Sequence, residues 1–282
     1  MESVSIIIPN YNGKELLKKN LPSVIKAVKK HNKNDEIIVV DNGSSDGSIE
    51  FLKEKYPEVK IIQLNENRGF GEACNIGIKE SKNKIVILLN NDVYVDENFI
   101  GPLIKHFSNH SVFSVSSLSL GKDNKKKKIP EKSVEVEWCC AGYTAYDREK
   151  FLSLGSFHPI YSPFYCEDRD IGYRAKKIGW KNIIEPESIV YHYGEGTSKK
   201  FNKKYVEYIK FRNRCIFYLT CYDNPFLTFW YIFKLVFNYF FSFKWHSFIS
   251  VWWLIKNYDK LREKLKSKIK LIDENQRDFC KK

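Results

Sequence analysis

Four short apolar runs, each separated from the next by a helix-like stretch and each ending on polar side chains, constrain this chain more than any other feature. VSIIIP (Val4 to Pro9), EIIVVD (Glu36 to Asp41), VKIIQLN (Val59 to Asn65) and IVILL (Ile85 to Leu89) are dense in Ile, Val and Leu. Such runs read as strands buried on both faces, the pattern of a parallel sheet. Between them lie KELLKKNLPSVIKAVKKH, SSDGSIEFLKEKY, which offers Ser and Asp caps in its first turn, and FGEACNIGIKES. These repeated units predict an α/β fold with a doubly wound, mostly parallel central sheet flanked by helices. A parallel crossover is right-handed and lays its helix back over the sheet.

The strand ends carry the chemistry. Asn10 and Asn12 follow the first strand, Asp41 ends the second, Asn65 and Arg68 follow the third, and Asn90 and Asp92 follow the fourth. In a parallel sheet the carboxyl ends face one crevice. Singly, each residue also reads as a turn former or a helix cap. Together they outline a pocket of two carboxylates, an arginine and amides, which suits a nucleotide. Asp41 could accept from a base N–H, Arg68 could meet the base or the diphosphate, and Asp92 could hold a divalent cation bridging phosphates. A dinucleotide site fits poorly, because GFGEAC has Cys74 where the third glycine belongs and follows the third strand. There is no Walker A sequence either.

Beyond Asn109 the pattern changes. VFSVSSLSL and VEVEWCCAGYTAYD alternate as half-exposed strands do, Glu167 to Lys177 reads as a helix, and IIEPESIVYHY reads as a strand pair broken at Pro186. From Lys203 onward the chain reads as helical. NPFLTFWYIFKLVFNYFFSFKWHSFISVWWLI (Asn224 to Ile255) is an aromatic segment interrupted by Lys234 and Lys244, so no uncharged run reaches the ~20 residues that span a bilayer. Lys234, Asn238, Ser242, His246 and Ser250 draw a polar line along it. Three roles stay open for it: lying in a membrane interface, packing on the catalytic domain, or forming a homodimer. A charged amphipathic helix is expected after it.

Composition narrows the partners. A net charge of +13 asks for an anionic one: nucleic acid, phosphates or an acidic membrane surface. The densest basic run, KDNKKKK (Lys122 to Lys128), reads as a solvated loop. A nucleic-acid-binding protein competes on charge and on seventeen tyrosines, but the acids at the strand ends stand where phosphate contacts would need bases. A nucleotidyltransferase competes on the sheet, but PNYNG stands where a glycine-rich, arginine-bearing loop is expected. No cleavable signal is read at MESVSIIIPNYN, and the seven cysteines include no C-x-x-C pair. Those features argue against a zinc site or a disulfide framework and for the cytoplasm.

SIIIPNYNG, IIVVDNGSSDGS, NENRGFGEACNIGI and ILLNNDVYVD, in that order, resemble the successive motifs of family 2 glycosyltransferases. The branch with bacterial rhamnosyl- and galactofuranosyltransferases is the most similar. GYTAYDREKFLSLGSFHPIYSPFYCEDRDIGYRAKKIGW resembles that branch's acceptor-side segment with its E-D-x-D motif, and IVYHYGEGTS its histidine strand. The likeness covers roughly residues 3 to 222.

The resemblance implies a GT-A fold, an inverting mechanism, a UDP- or dTDP-sugar donor, and Mg²⁺ or Mn²⁺. The acceptor it implies is a glycan or a lipid-linked one, used in the cytoplasm or at the inner face of the plasma membrane, with no nucleic acid as partner. Asp41 matches the base-reading aspartate. Asn90-Asn91-Asp92 takes the place of the D-x-D motif, with an amide for the first carboxylate, so Asp92 is the metal ligand and His192 can complete its site. Pro9, Asn10, Tyr11, Asn12, Asn65, Arg68, Gly69 and Asn75 fall on the donor side. Asp168 is the catalytic base, and Glu167, Asp170, Trp138 and Gly142 fall on the acceptor side. Arg174 stands where it can pair with Asp170 at i, i+4. The implied division is a catalytic domain over 1–222, split near 110 into donor and acceptor halves, and a helical, aromatic-rich extension over 223–282.

Overall fold

The computed structural model describes residues 2–121, 130–194, 196, 201–222, 224–241 and 256–257. The lysine run, all of the aromatic segment beyond 241 and the charged helix expected after it lie outside the described residues.

Strands β1 (Val4–Asn10), β2 (Glu36–Asn42), β3 (Lys60–Leu64) and β4 (Ile85–Leu89) pair in parallel in the order β3-β2-β1-β4. Their crossovers are α1 (Lys14–His31), α2 (Ser48–Lys55) and α3 (Phe70–Lys79). One face of the sheet, with Ile6, Ile8, Val39 and Ile87, packs in one cluster with Leu17, Leu21 and Val24 of α1. The other face, with Ile7, Val40, Val86 and Leu88, clusters with Ala73, Cys74 and Ile78 of α3. Burial on both sides explains why the runs do not alternate. Gly77 makes the second contact close: a Cβ there would stand 2.4 Å from Ile7 Cγ2. The first turn of α2 is held by Asp46 alone, whose Oδ1 accepts from Ser48 N at 3.1 Å. Its Oδ2 takes the N–H of Lys14 at 2.9 Å.

The second half turns a parallel sheet into a mixed one. It contributes β5 (Val93–Val95), α4 (Ile100–Ile104), β6 (Val112–Ser119), β7 (Val134–Val136), β8 (Tyr143–Asp147), α5 (Arg148–Ser153), α6 (Glu167–Lys177) and β9 (Lys181–His192). The sheet continues from β4 as β8-β6-β9-β5, with β7 beside β9. Only β6 and β9 pair in parallel here; β4–β8, β6–β8, β5–β9 and β7–β9 are antiparallel. The expectation of a mostly parallel sheet therefore holds for the first four strands.

Three local expectations are corrected. VEVEWCCAGYTAYD divides into β7 and β8 with a connection between them. Strands β6 and β8 are buried along most of their length, since Phe113 stacks on Trp180 at 6.0 Å and meets Tyr146 edge-on at 5.5 Å. Strand β9 is continuous through Pro186. Its ladder to β6 passes from Glu185 opposite Ser117 to Ile189 opposite Leu118, so Pro186 sits in a bulge where no ladder N–H is needed.

Two long helices follow, α7 (Lys203–Cys221) and α8 (Pro225–Phe241). They lie antiparallel, with Phe211 on Tyr239 at 4.8 Å and Tyr218 on Tyr231 at 5.2 Å. Phe217 of α7 packs edge-on against Trp138 and against Tyr173 of α6. The boundary expected at 222 falls in the turn between α7 and α8, which share one apolar cluster with Tyr161 and Cys166. Among the described residues no helix is long and apolar enough to cross a membrane.

Candidate active site

The ends of β1 and β4 and the start of α6 frame one cavity of about 440 Å³, within the range of small-molecule sites. Neighbouring strands bring the donor-side amides together. Asn91 Nδ2 donates to Asn10 Oδ1 at 2.8 Å, and Asn10 Nδ2 donates to Asp41 Oδ2 at 3.1 Å. A Cβ on Gly13 would stand 2.3 Å from both Asn10 Oδ1 and Asn91 Nδ2, so the amide pair needs glycine where α1 begins.

Asp92 is the exception in this wall. It is 2% exposed, and its Oδ1 is buried with no hydrogen bond. The β5–β9 register sets Val93 opposite His192, which brings His192 Nε2 to 3.3 Å from that oxygen. An unsatisfied buried carboxylate oxygen is costly, and a cation beside it removes the cost. The lining supports the same reading, because among the described residues around the cavity there is no Lys or Arg. No group of three His, Cys, Asp or Glu side chains surrounds Asp92 among the described residues. Asp92 and His192 fit Mg²⁺ or Mn²⁺, hard ions that readily take their other ligands from phosphate and water.

The opposite wall begins at Tyr165 and Cys166, both in the left-handed region (φ 76° and 75°) although neither is glycine. Such a pair persists only where its surroundings hold it. Asn213, fully buried on α7, does so: its Nδ2 lies 2.7, 2.9 and 2.8 Å from the carbonyls of Tyr161, Phe164 and Tyr165. Arg212 adds a bond from its guanidinium to the Ser162 carbonyl.

The turn delivers Glu167 and Asp168 to the cavity. Burial, then the neighbouring Asp168 charge, push the Glu167 carboxyl well above the usual carboxylate range. Burial also raises Asp168, but the Arg169 N–H, 2.8 Å from Oδ1, the Arg169 charge and the Ala141 N–H oppose that rise. The adjacent acids thus differ in degree: both carboxyls are raised by burial, Glu167 the more strongly, while hydrogen bonds and the Arg169 charge hold Asp168 back. Glu167 Oε2 has no hydrogen bond.

Of the expected residues, Pro9, Asn10, Tyr11, Gly69, Asn90, Asn91, Asp92, Gly142, Glu167, Asp168 and His192 line the cavity. Gly142 is required there, since its Cβ would stand 2.7 Å from Asn90 Nδ2. The others stand elsewhere. Asp41 is fully buried behind the wall, accepting from Asn10 and from Ser44 N at 2.9 Å. Asn12 ties two loops, its Oδ1 accepting from Ser45 N at 2.8 Å. Asn65 is exposed, and Asn67 takes the cavity position, its Oδ1 receiving Asn42 Nδ2 at 3.0 Å. Arg68 points to solvent, with Nε 3.9 Å from Glu66. Asn75 clamps the backbone of Phe157 through both ends of its amide, at 2.9 and 3.0 Å. Asp170 is fully buried in an ion pair with Arg174 at 2.8 Å, as the i, i+4 spacing allowed. Trp138 lies under α6, against Phe217 and the Arg169 guanidinium.

Asn42, Phe70, Cys140, Phe164, Tyr165 and Phe201 also line the cavity and were not expected. Asn42 had a signal. Adjacent strand residues face opposite ways, so Asp41 and Asn42 could not both face the crevice.

The family model described as glycosyl transferase family 2 matches residues 5–169, more than half of the chain, and ends within the first turn of α6. The undecaprenyl-phosphate 4-deoxy-4-formamido-L-arabinose transferase of Pectobacterium atrosepticum is 35% identical over 112 residues, 38% of this chain and 34% of that protein. The chain spans about a third of that relative's length. Among solved structures, Staphylococcus aureus TarS 1–349 with UDP-GlcNAc aligns over 97% of this chain and 82% of its own, with a TM-score of 0.64 at 16% identity. The mannosyltransferase PcManGT of Pyrobaculum calidifontis, with GDP-Man and Mn²⁺, aligns over 98% and 82%, with a TM-score of 0.61 at 17% identity. These likenesses show the fold, which is GT-A.

Proposed function

The chain belongs to glycosyl transferase family 2, and on that premise we propose that it is an inverting glycosyltransferase. It moves a sugar from a nucleoside-diphosphate-sugar, UDP- or dTDP-linked, to a hydroxyl of a glycan or lipid-linked acceptor in the cytoplasm. The observation that carries this reading is the pairing of two walls across one cavity. One wall holds a buried carboxylate oxygen without a hydrogen bond at Asp92, and the other presents Asp168, held by the Arg169 N–H, beside Glu167. GDP-Man with Mn²⁺ and UDP-GlcNAc, bound by the two structural relatives, support a nucleotide-sugar and a divalent ion.

Asp168 takes the proton of the acceptor hydroxyl as that oxygen attacks the anomeric carbon on the face opposite the diphosphate. Glu167 keeps its proton and donates to an acceptor oxygen. Asn10 and Asn91, locked to each other, hold the donor without having to reorganise. Asp92 and His192 would hold a Mg²⁺ or Mn²⁺, which when bound would supply Lewis-acid neutralisation of the diphosphate charge. Asp41 acts from behind, by fixing Asn10.

The test is a panel of UDP-, dTDP- and GDP-sugars assayed for release of nucleoside diphosphate, with NMR of the linked product. One donor class should be turned over, EDTA should stop it, and Mg²⁺ or Mn²⁺ should restore it with an inverted anomeric centre. Unchanged release in excess EDTA, or a retained configuration, overturns the reading.

A further inference from the structure

Helix α8 has two faces of opposite character. Leu235 and Tyr239 turn inward onto α7 and are each 6% exposed. On the other side Phe226, Phe229, Phe233, Phe237 and Phe241 recur every three or four residues and are between 50% and 73% exposed. Their rings follow one another at 6.2, 6.2 and 4.4 Å from Phe229 to Phe241. The stripe runs the length of the helix, about 25 Å at 1.5 Å per residue. A continuous aromatic face of that length on a water-facing helix calls for an occupant.

Charge selects the occupant. A second copy of the chain would bring one +13 protein against another. An anionic surface reverses that sign. Exposed Lys234 flanks the stripe one residue from Phe233, and the sequence after Phe241 carries eleven Lys and Arg against five Asp and Glu. Phe at the centre, Trp230 at the edge and Lys beside them match the depth order of a bilayer interface. The helix is shorter than the ~30 Å hydrocarbon layer, with Lys234 near its middle, so it lies along the surface instead of crossing it.

We propose that the outer face of α8 docks in-plane on an anionic lipid bilayer. The face stands apart from the cavity, so the proposal does not depend on the transfer chemistry. It does place the membrane under the same helix pair that braces the Tyr161–Tyr165 wall through Asn213, which fits a lipid-linked acceptor.

The test is co-sedimentation of the full-length protein with phosphatidylcholine vesicles, with and without phosphatidylglycerol. The protein should pellet with the anionic vesicles and release as salt rises. The triple variant Phe229→Ser/Phe233→Ser/Phe237→Ser should lose at least about tenfold in partitioning, while lipid-free release of nucleoside diphosphate stays unchanged. Lys234→Glu, which leaves every packed side chain in place, should weaken anionic binding a few-fold and supplies the reading if the triple variant does not fold. Equal pelleting of parent and triple variant overturns the proposal. So does loss of binding in Trp252→Ser/Trp253→Ser with the triple variant unaffected. A parent dimer that the triple variant dissociates in lipid-free sedimentation velocity overturns it too, by making the face a protein interface.

Discussion

Both walls of the cavity carry buried acids and differ in how those acids are satisfied. On the donor wall Asp41, Asn10 and Asn91 form a closed chain of hydrogen bonds, and Asp92 Oδ1 is left out of it. On the acceptor wall Asp170 is closed off by Arg174, and Glu167 Oε2 is left out. Each wall thus contains one buried acid closed off in the scaffold and one buried acid with an oxygen left unsatisfied beside the cavity. Asp168 also faces the cavity, held by the Arg169 N–H. The walls also differ in support: the donor wall rests on adjacent parallel strands, the acceptor wall on an amide reaching in from α7.

The comparison is broken most severely at Asp92. Asp92→Ala removes the donor-wall oxygen that has no hydrogen bond, and transfer should fall by about 10³–10⁴-fold, the several kcal/mol assigned to metal-borne charge stabilisation. Calorimetry should show Mn²⁺-dependent donor binding lost. Asp41→Ala is the control within the same wall. It loosens Asn10 and should weaken donor affinity by about 1–3 kcal/mol without abolishing metal dependence.

Asp168→Asn comes next. The amide keeps the shape and the bond from Arg169 N–H but cannot take a proton, so kcat should fall about 10³-fold with donor affinity nearly unchanged. If Asp170→Asn fell as far while keeping its fold and stability, the separation of the two acids on α6 would be wrong.

How far the sequence foretold these walls depends on which physical signal each residue left. The parallel half was legible because double burial writes itself as unbroken Ile, Val and Leu. Its crevice followed from the strand ends. The antiparallel half was less legible: β5 is three residues long, yet its register alone puts His192 beside Asp92. Pro186 read as a break because a bulge that hides a missing N–H leaves no mark in composition. Asn65 was placed in the site as a strand end and Asn75 by the family resemblance. In the fold Asn75 clamps the Phe157 backbone and Asn65 is exposed, positions that depend on contacts across the fold. Asn213 lay in a helix with no polar pattern to single it out.

Asn213→Ala should have a moderate effect. It removes the amide donor shared by three carbonyls, one of them buried, at about 1–3 kcal/mol of stability, and frees the left-handed turn at Tyr165 and Cys166. Thermal unfolding should register the first effect. The second should raise the acceptor KM several-fold while donor hydrolysis without acceptor holds its rate. Equal losses in both reactions would make Asn213 a general stabiliser and dissolve the contrast between strand-borne and helix-borne walls.

The smallest effect is expected at Glu167→Gln, and it sharpens the comparison most finely because it changes one atom. Glutamine imitates the protonated acid: it still donates to the acceptor, so transfer should stay within a few-fold of the parent. The acid limb of kcat should also stay in place, since Asp168 sets it; activity falls as pH drops through a value above the ordinary 3.8. Stability should separate the two proteins instead. The folded value of Glu167 lies above its ordinary 4.5, so above pH 4.5 the unfolded chain releases a proton that the folded chain keeps. That linkage lowers parent stability as pH rises toward the folded value, and glutamine has nothing to release. The Tm advantage of Glu167→Gln should therefore grow from pH 4 to pH 8. A constant Tm difference across that range would mean Glu167 is ionised in the fold, with the negative charge shared by both acids of the wall.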